Sequence, residues 1–164
     1  MKTFLERLKT IFTELDQRIE VLAKERAEVR ILGQMSLLAN DKLIGRLSLA
    51  DTAELDAHLR TEYVVERELR EILKNHGFVY DETSNEIWIP TGTVFEPLFD
   101  FKNLVVTRID SESALVSKAV KAREKNKILV RQALASKAFP HLADRIQQGG
   151  GEPSYFLDFG GPNS

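Results

Sequence analysis

The chain has 164 residues and a formal net charge of −2, with 43% hydrophobic and 29% charged side chains. A chain of this length is expected to form one domain with enough buried apolar surface to need no covalent or metal cross-link. It contains no cysteine, which excludes disulfides, thiolate metal sites and cysteine nucleophiles. The small net charge excludes a strongly basic field over the whole surface, although a local basic patch is compatible with it.

The sequence contains no apolar run of the roughly 18 residues that a membrane span requires. Its first twenty residues carry acidic side chains throughout and lack the apolar core of a signal peptide. We therefore expect a cytoplasmic protein with no membrane partner.

Apolar residues spaced by three and four positions from Phe4 to Leu22 predict an N-terminal amphipathic helix with a charged outer face. The stretch AEVRILG predicts a short strand that ends at Gly33, and residues 34–41 predict a short helix after it. The stretch DTAELDAHL, residues 51–59, then predicts a second strand.

Residues 61–77 predict a helix that is capped by Thr61 and stopped by Gly77. Two β-rich runs on either side of DETSN predict a hairpin over residues 78–90. The stretches TVFEPLFDF and NLVVTRI predict two further strands.

Residues 110–136 predict one long helix with Asp110 or Ser111 at its N-terminal cap. A last short helix is expected to begin at Pro140. The glycine-rich residues 149–164 predict a loose tail, although YFLDF within it is apolar enough to dock on another surface. The order of elements predicts a mixed α/β (α+β) domain over residues 1–148, with a sheet covered by helices.

Two carboxylates, Glu54 and Asp56, flank Leu55 in the predicted second strand. Side chains two residues apart in a strand point to the same face, roughly 6.6–7 Å from each other. Such a pair can hold a divalent cation, and it can equally form the solvated polar face of an edge strand. The residues alone leave both interpretations open.

The order of motifs resembles the DNA polymerase β-like nucleotidyltransferase superfamily. A strand turns at Gly33 into a short helix, and the carboxylate pair ELD follows on the next strand. Members of that superfamily typically carry a glycine followed by Gly or Ser, a short helix, and Asp-x-Asp on the next strand. The helix ESALVSKAVKAREKNKILVRQAL is also similar to a basic helix of small bacterial members, some of whose relatives are toxins of toxin–antitoxin pairs.

The resemblance implies a nucleotidyltransferase-like sheet flanked by helices, and transfer of NMP from an NTP to RNA, protein or a small molecule. It implies that Glu54 and Asp56 are catalytic and bind Mg²⁺, a cation that prefers hard oxygen ligands. A third acid is expected from Asp100 or Glu96, and Asp51 is a further candidate. The first acid departs from the family pattern, because Glu54 stands where Asp is usual.

The resemblance further implies a phosphate site at Gly33 and Gln34, because a glycine lets the backbone approach a phosphate and a helix N-terminus offers free N–H groups. Here too the chain departs from the pattern, since Gln34 replaces Gly or Ser. Lys118 and Lys121 are expected to neutralise the triphosphate. Together with Lys125 they have the spacing of one helix face, which fits nucleotide phosphates, an RNA backbone or a merely solvated surface.

Two other functions are compatible with the sequence. The chain can be an inactive member of the same fold that binds a protein partner, as in toxin–antitoxin pairs. It can also be a homodimeric interaction module that docks through the apolar stripe from Phe4 to Leu22.

Overall fold

The computed structural model describes residues 2–43 and 45–157. In these two segments the helices are α1 (Phe4–Leu22), α2 (Gly33–Leu38), α3 (Tyr63–Asn75), α4 (Ser111–Lys121), α5 (Lys127–Ser136), α6 (Leu142–Gln148) and α7 (Pro153–Leu157). The strands are β1 (Ala27–Ile31), β2 (Glu54–Leu55), β3 (Ala57–Arg60), β4 (Val79–Tyr80), β5 (Phe95–Asp100) and β6 (Leu104–Ile109). The expected mixed α/β architecture is confirmed, and none of the described helices is both long and apolar enough to span a membrane.

A four-stranded mixed sheet with the order β3-β1-β6-β5 forms the centre of the fold. β1 runs parallel to β6 and antiparallel to β3, and β5 runs antiparallel to β6. The carboxyl ends of β1 and β6 therefore lie at the same edge of the sheet as the start of β3. This edge brings together Gly33 after β1, Asp56 before β3 and the N-terminus of α4 after β6.

The core has two parts. In the first, α1 and α3 pack together over the buried residues of β1 and β6, such as Val29 and Val106. The second part gathers Leu32 and Ile109, at the carboxyl ends of β1 and β6, with the apolar faces of α2 and of α4 to α7. The second part of the core therefore packs against the edge of the sheet that carries Gly33 and Asp56.

The apolar stripe of α1 is buried within the chain itself. Its five central residues are at most 1% exposed, and they pack against the sheet and α3. The buried members of the stripe are Leu8, Ile11, Phe12, Leu15 and Ile19. The buried centre of the stripe therefore covers the domain's own sheet and is not available to a second copy, whereas Leu22 at its end is 44% exposed.

The predicted strand over residues 51–59 is two strands that belong to different sheets. β2 pairs in parallel with β4 in a separate two-stranded sheet, and β3 pairs with β1. The change takes place at Asp56, whose carbonyl accepts from the Leu32 N–H at 2.8 Å. β4 is consequently the partner of β2, and the hairpin expected over residues 78–90 is wrong. In its place, a short 3-10 turn (Ser84–Glu86) follows β4, and residues 87–90 are not a strand.

Two expectations about helices are also wrong. The long helix over residues 110–136 is broken into α4 and α5 at Ala122, whose φ of −147° and ψ of 54° are not helical, and the Asn126 amide donates to the Ala122 carbonyl, closing a turn. Asp110 caps α4 as expected, with its carboxylate accepting from the Ser113 N–H at 3.0 Å. Glu62, and not Thr61, is the N-cap residue of α3.

Residues 149–157 do not form a loose tail. Helix α7 packs against α5 and α6, and the ring of Phe156 is fully buried in the second part of the core. Gly151 permits this packing, since a Cβ at that position would lie 2.8 Å from Cγ2 of Ile146. The docking expected for YFLDF is observed for Tyr155 and Phe156, while residues 158–164 lie outside the described residues.

We expect Phe156→Ala to lower the free energy of unfolding by about 3–5 kcal/mol, because it leaves a ring-sized cavity in the core. The matched control is Leu157→Ala in the same helix, since Leu157 is 53% exposed and its truncation should change stability by less than about 1 kcal/mol. Urea unfolding followed by circular dichroism measures both values. Equal, small losses for the two variants would show that α7 does not contribute to the core in solution.

Candidate functional site

Gly33 forms a sharp turn from β1 into α2 and lies directly against Asp56. Its φ is +59°, in the left-handed region that strongly favours glycine. A Cβ at this position would lie 2.5 Å from Oδ2 of Asp56, closer than non-bonded atoms can approach. The glycine is therefore required both by the turn and by the carboxylate beside it.

The pairing of β2 with β4 places Asp81 beside Asp56. Glu54 is in register with Val79 and Leu55 with Tyr80, so the residues that directly follow the two strands are Asp56 and Asp81. The Asp81 N–H continues this ladder by donating to the Leu55 carbonyl at 2.9 Å. Neighbouring strands are about 4.8 Å apart, which brings the two carboxylates within reach of one ligand.

The turn after Asp81 is fixed by hydrogen bonds. One carboxylate oxygen of Asp81 accepts from the N–H and the hydroxyl of Thr83, at 2.9 and 2.7 Å. The buried Ser84 hydroxyl donates to the Asp81 carbonyl and accepts from the Ala57 N–H in β3. The turn is thereby attached to the main sheet, which sets the position of Asp81 relative to Asp56.

Three carboxylates meet at this point, because Glu54 joins the two aspartates. Each of Glu54, Asp56 and Asp81 offers an oxygen, and these oxygens all lie within 4.8 Å of one another. Glu54 is exposed, and the two aspartates are half-buried. No histidine belongs to this group; in the described structure, His58 contacts the Ser84 carbonyl instead.

The carboxylates perturb one another strongly. Burial, followed by the neighbouring Asp81 and Glu54, raises the pKa of Asp56 to about 7. The pKa of Asp81 is lowered, first by its hydrogen bond with Asp56 and then by those from Thr83. Asp56 therefore loses its proton only around neutrality, whereas the pKa of Asp81 lies below its usual range, as expected for like charges forced together without a cation.

A cavity of about 730 Å³ extends from the acids to the basic end of α4. Lys118, Lys121 and Lys125 line it together with the carboxylates, and Trp88 forms part of its wall. Burial, assisted by Lys125, lowers the pKa of Lys118, whereas Asp56 acts in the opposite direction. The cavity therefore combines an acidic end with a basic end.

Some of the predicted site residues lie elsewhere. Asp100 ends β5 opposite Val105, at the far edge of the sheet from Gly33, and it forms an ion pair with Arg26. About five residues along the strands separate Asp100 from Gly33, which corresponds to roughly 16 Å. Glu96 is paired with Arg108, and neither Glu96 nor Asp100 belongs to the carboxylate group.

Gln34 and Asp51 line a smaller neighbouring cavity of about 310 Å³. The Gln34 amide donates to the Ala50 carbonyl at 2.8 Å and so holds the loop that leads into β2. Lys118 and Lys125 line this second cavity as well, which makes the two cavities neighbours.

Asp81 is the acid that the sequence interpretation missed. A signal for it exists, because VYD resembles ELD in that an aspartate directly follows a residue that packs in the core, Tyr80 or Leu55. The predicted hairpin placed Asp81 in an exposed turn, and for that reason Asp81 was not recognised as a site residue.

The residues present fit a divalent cation. Oδ1 of Asp56 is buried without a hydrogen-bond partner among the described residues, which leaves a strong acceptor unsatisfied. Three carboxylate oxygens within 4.8 Å form the hard donor set that Mg²⁺ or Mn²⁺ prefers. The glycine turn lets the Asp56 carboxylate lie where it would clash with any side chain at position 33.

Without added metal, we expect Asp56→Asn to stabilise the protein at pH 8 and to have no such effect near pH 4. Between pH about 4 and 7 the folded protein holds a proton on Asp56 that the unfolded chain has lost, so stability falls as the pH rises through this window. The amide removes that penalty, and a gain of about 1 kcal/mol raises Tm by roughly 2–4 °C. Thermal melts in EDTA at the two pH values test this; a loss of stability at pH 8 would contradict it.

Comparisons of the chain with protein-family models, with curated proteins and with solved structures gave no significant match. The assignment of a function therefore rests on the geometry of the site.

Proposed function

We propose that the protein is a Mg²⁺-dependent nucleotidyltransferase with a DNA polymerase β-like arrangement of its site. The observation that carries this proposal is the convergence of Glu54, Asp56 and Asp81 on the Gly33 turn, at one end of a cavity whose other end is basic. Phosphoryl transfer needs mainly positioning and charge neutralisation, and this arrangement provides groups for both.

The acidic end would bind the metal. Glu54, Asp56 and Asp81 would supply carboxylate oxygens, and binding would require Asp56 to lose its proton. When bound, Mg²⁺ would stabilise the negative charge that develops on the transferring phosphoryl group. The orphaned Oδ1 of Asp56 would then gain a partner.

The basic end would hold the phosphates of the NTP. Lys118 and Lys121 line the cavity and form no ion pair with any described carboxylate, so their charges are available to a ligand. Trp88 offers an aromatic surface in the same cavity. Gly33 lines the same cavity beside the acids, so its backbone would be within reach of a phosphate bound there.

The proposed reaction joins an acceptor hydroxyl to the α-phosphorus of the NTP. The hydroxyl oxygen forms the new P–O bond, the bond to the β-phosphate bridging oxygen breaks, and pyrophosphate leaves. The hydroxyl proton passes to a carboxylate of the cluster or to solvent. The lysines offset the charge of the departing pyrophosphate.

A second candidate is an inactive form of the same site that binds a protein partner, as in a toxin–antitoxin pair. The position of Gln34 favours it, because the Gln34 amide is held by the Ala50 carbonyl and does not line the cavity that holds the acids. A cytoplasmic location and a homodimer stay predictions under either candidate.

We expect wild-type protein to incorporate labelled NMP from an NTP in the presence of Mg²⁺ or Mn²⁺, and Asp56→Asn and Asp81→Asn each to reduce the rate at least about 100-fold. That loss corresponds to about 2.7 kcal/mol of transition-state stabilisation. The matched control is Asp100→Asn, which removes an acid at the far edge of the sheet and should retain activity.

Binding measurements complement this assay. Calorimetry with the Mg²⁺ complexes of ATP, GTP, CTP and UTP identifies the preferred base. Melting curves with and without Mg²⁺ should show a rise in Tm for wild type and Asp100→Asn, and none for Asp56→Asn. If wild type shows neither incorporation nor a Mg²⁺-dependent shift, the inactive partner-binding protein is the better account.

A further inference from the structure

The end of α4 and the turn into α5 concentrate positive charge. Residues 118–127, called here the basic turn, contain five cationic side chains and one acid, Glu124, so their net charge is +4. The whole chain carries −2, and the remaining residues therefore carry −6. A basic segment on an otherwise acidic protein indicates an anionic ligand for that segment.

The cations of the basic turn are not neutralised by the protein. Seven arginines elsewhere among the described residues form ion pairs with acids, as Arg18 does with Glu14 and Glu71. Within the described part of the chain, none of the five cations forms an ion pair: Lys118, Lys121, Arg123, Lys125 and Lys127.

Aromatic rings hold three of these cations in place. The guanidinium of Arg123 lies 4.5 Å and the ammonium of Lys127 4.8 Å from the centre of the Tyr155 ring. The ammonium of Lys121 lies 5.3 Å from the ring centre of Trp88. Such contacts position a cation but leave its charge available, because a ring carries no net charge.

The basic turn is continuous with the candidate site. Lys118, Lys121 and Lys125 line the cavity that holds the three carboxylates, while Arg123 and Lys127 extend the positive surface towards Tyr155 on α7. Arg123 and Lys125 are exposed, and Lys127 is half-buried. A ligand bound along this surface would extend from the outside of the protein into the cavity.

A phosphate chain fits this surface better than a single nucleotide. The triphosphate of an NTP would be matched by the lysines inside the cavity, which leaves Arg123 and Lys127 outside its reach. A polynucleotide presents phosphates at regular intervals, and basic grooves with aromatic rings are the usual means of binding single strands.

We infer that the basic turn binds the phosphate backbone of a single-stranded nucleic acid, whose terminal hydroxyl enters the cavity as the acceptor. The binding half of this inference is independent of catalysis. The acceptor half rests on the proposed function and narrows its acceptor to the end of a polynucleotide strand.

The test is fluorescence anisotropy with a labelled single-stranded RNA of about 20 nucleotides and its DNA counterpart, longer than a typical single-strand site. No NTP or divalent metal is added, so the result does not depend on activity. The variant Arg123→Gln/Lys125→Gln/Lys127→Gln should bind at least about 10-fold more weakly than wild type. The slope of log K against log salt, measured between about 50 and 200 mM KCl, should fall by about 2, since each lost phosphate contact removes about 0.7.

The matched control is Lys9→Gln/Lys24→Gln/Lys74→Gln, which removes the same charge from exposed positions on other elements. It should keep the wild-type slope and an affinity within about 3-fold, and melting curves should show that both triple variants remain folded. Equal binding of RNA and DNA supports a backbone contact, and preference for RNA supports an additional contact to the 2′-hydroxyl.

Three results would overturn the inference: no binding of either strand by wild type, equal losses in the two triple variants, or stronger binding to vesicles of phosphatidylserine and phosphatidylcholine than to either strand. NMP incorporation into another acceptor without strand binding would leave the proposed function standing. Strand binding without incorporation would support the binding surface alone.

Discussion

The contact between Gly33 and the carboxylate of Asp56 is the constraint on which the site depends. The turn needs a positive φ, and the carboxylate needs space that only a residue without a Cβ leaves open. Because the Leu32 N–H also donates to the Asp56 carbonyl, the backbone fixes this contact on both sides. Glu54 and Asp81 are then placed by their neighbours in β2 and β4.

This arrangement holds like charges together at an energetic penalty. Asp56 is buried beside two other acids, its pKa is raised to about 7, and one of its oxygens has no hydrogen-bond partner in the described structure. A domain selected only for stability would have little reason to keep such a group. Unfavourable electrostatics concentrated at a cavity are typical of functional sites, and a cation would convert repulsion into attraction.

The lysines supply the positive charges of the same cavity. Lys118 lies close enough to influence the pKa of Asp56 but forms no ion pair with it. The cavity therefore presents carboxylates and lysines that are not paired with one another, which suits a ligand that is itself an anion bound to a cation. The break between α4 and α5 matters here, because it turns Arg123 and Lys127 towards Tyr155 and extends the basic end to the surface.

Local patterns in the sequence determined much of this protein. The amphipathic spacing of α1, the strands β1, β5 and β6, and the Asp110 cap depend on near neighbours, and they were readable without a structure. The meeting of the Gly33 turn with ELD is a long-range contact that was expected from the resemblance to a family and not from any local pattern. Only the tertiary structure decided which third acid joins Glu54 and Asp56. Asp81 reaches them through the parallel pairing of β2 with β4, and Asp100 is carried to the opposite edge because β5 runs antiparallel to β6. Strand pairing over long sequence separations leaves no periodic signal in the chain, and for that reason the sequence identified two of the acids but not the third.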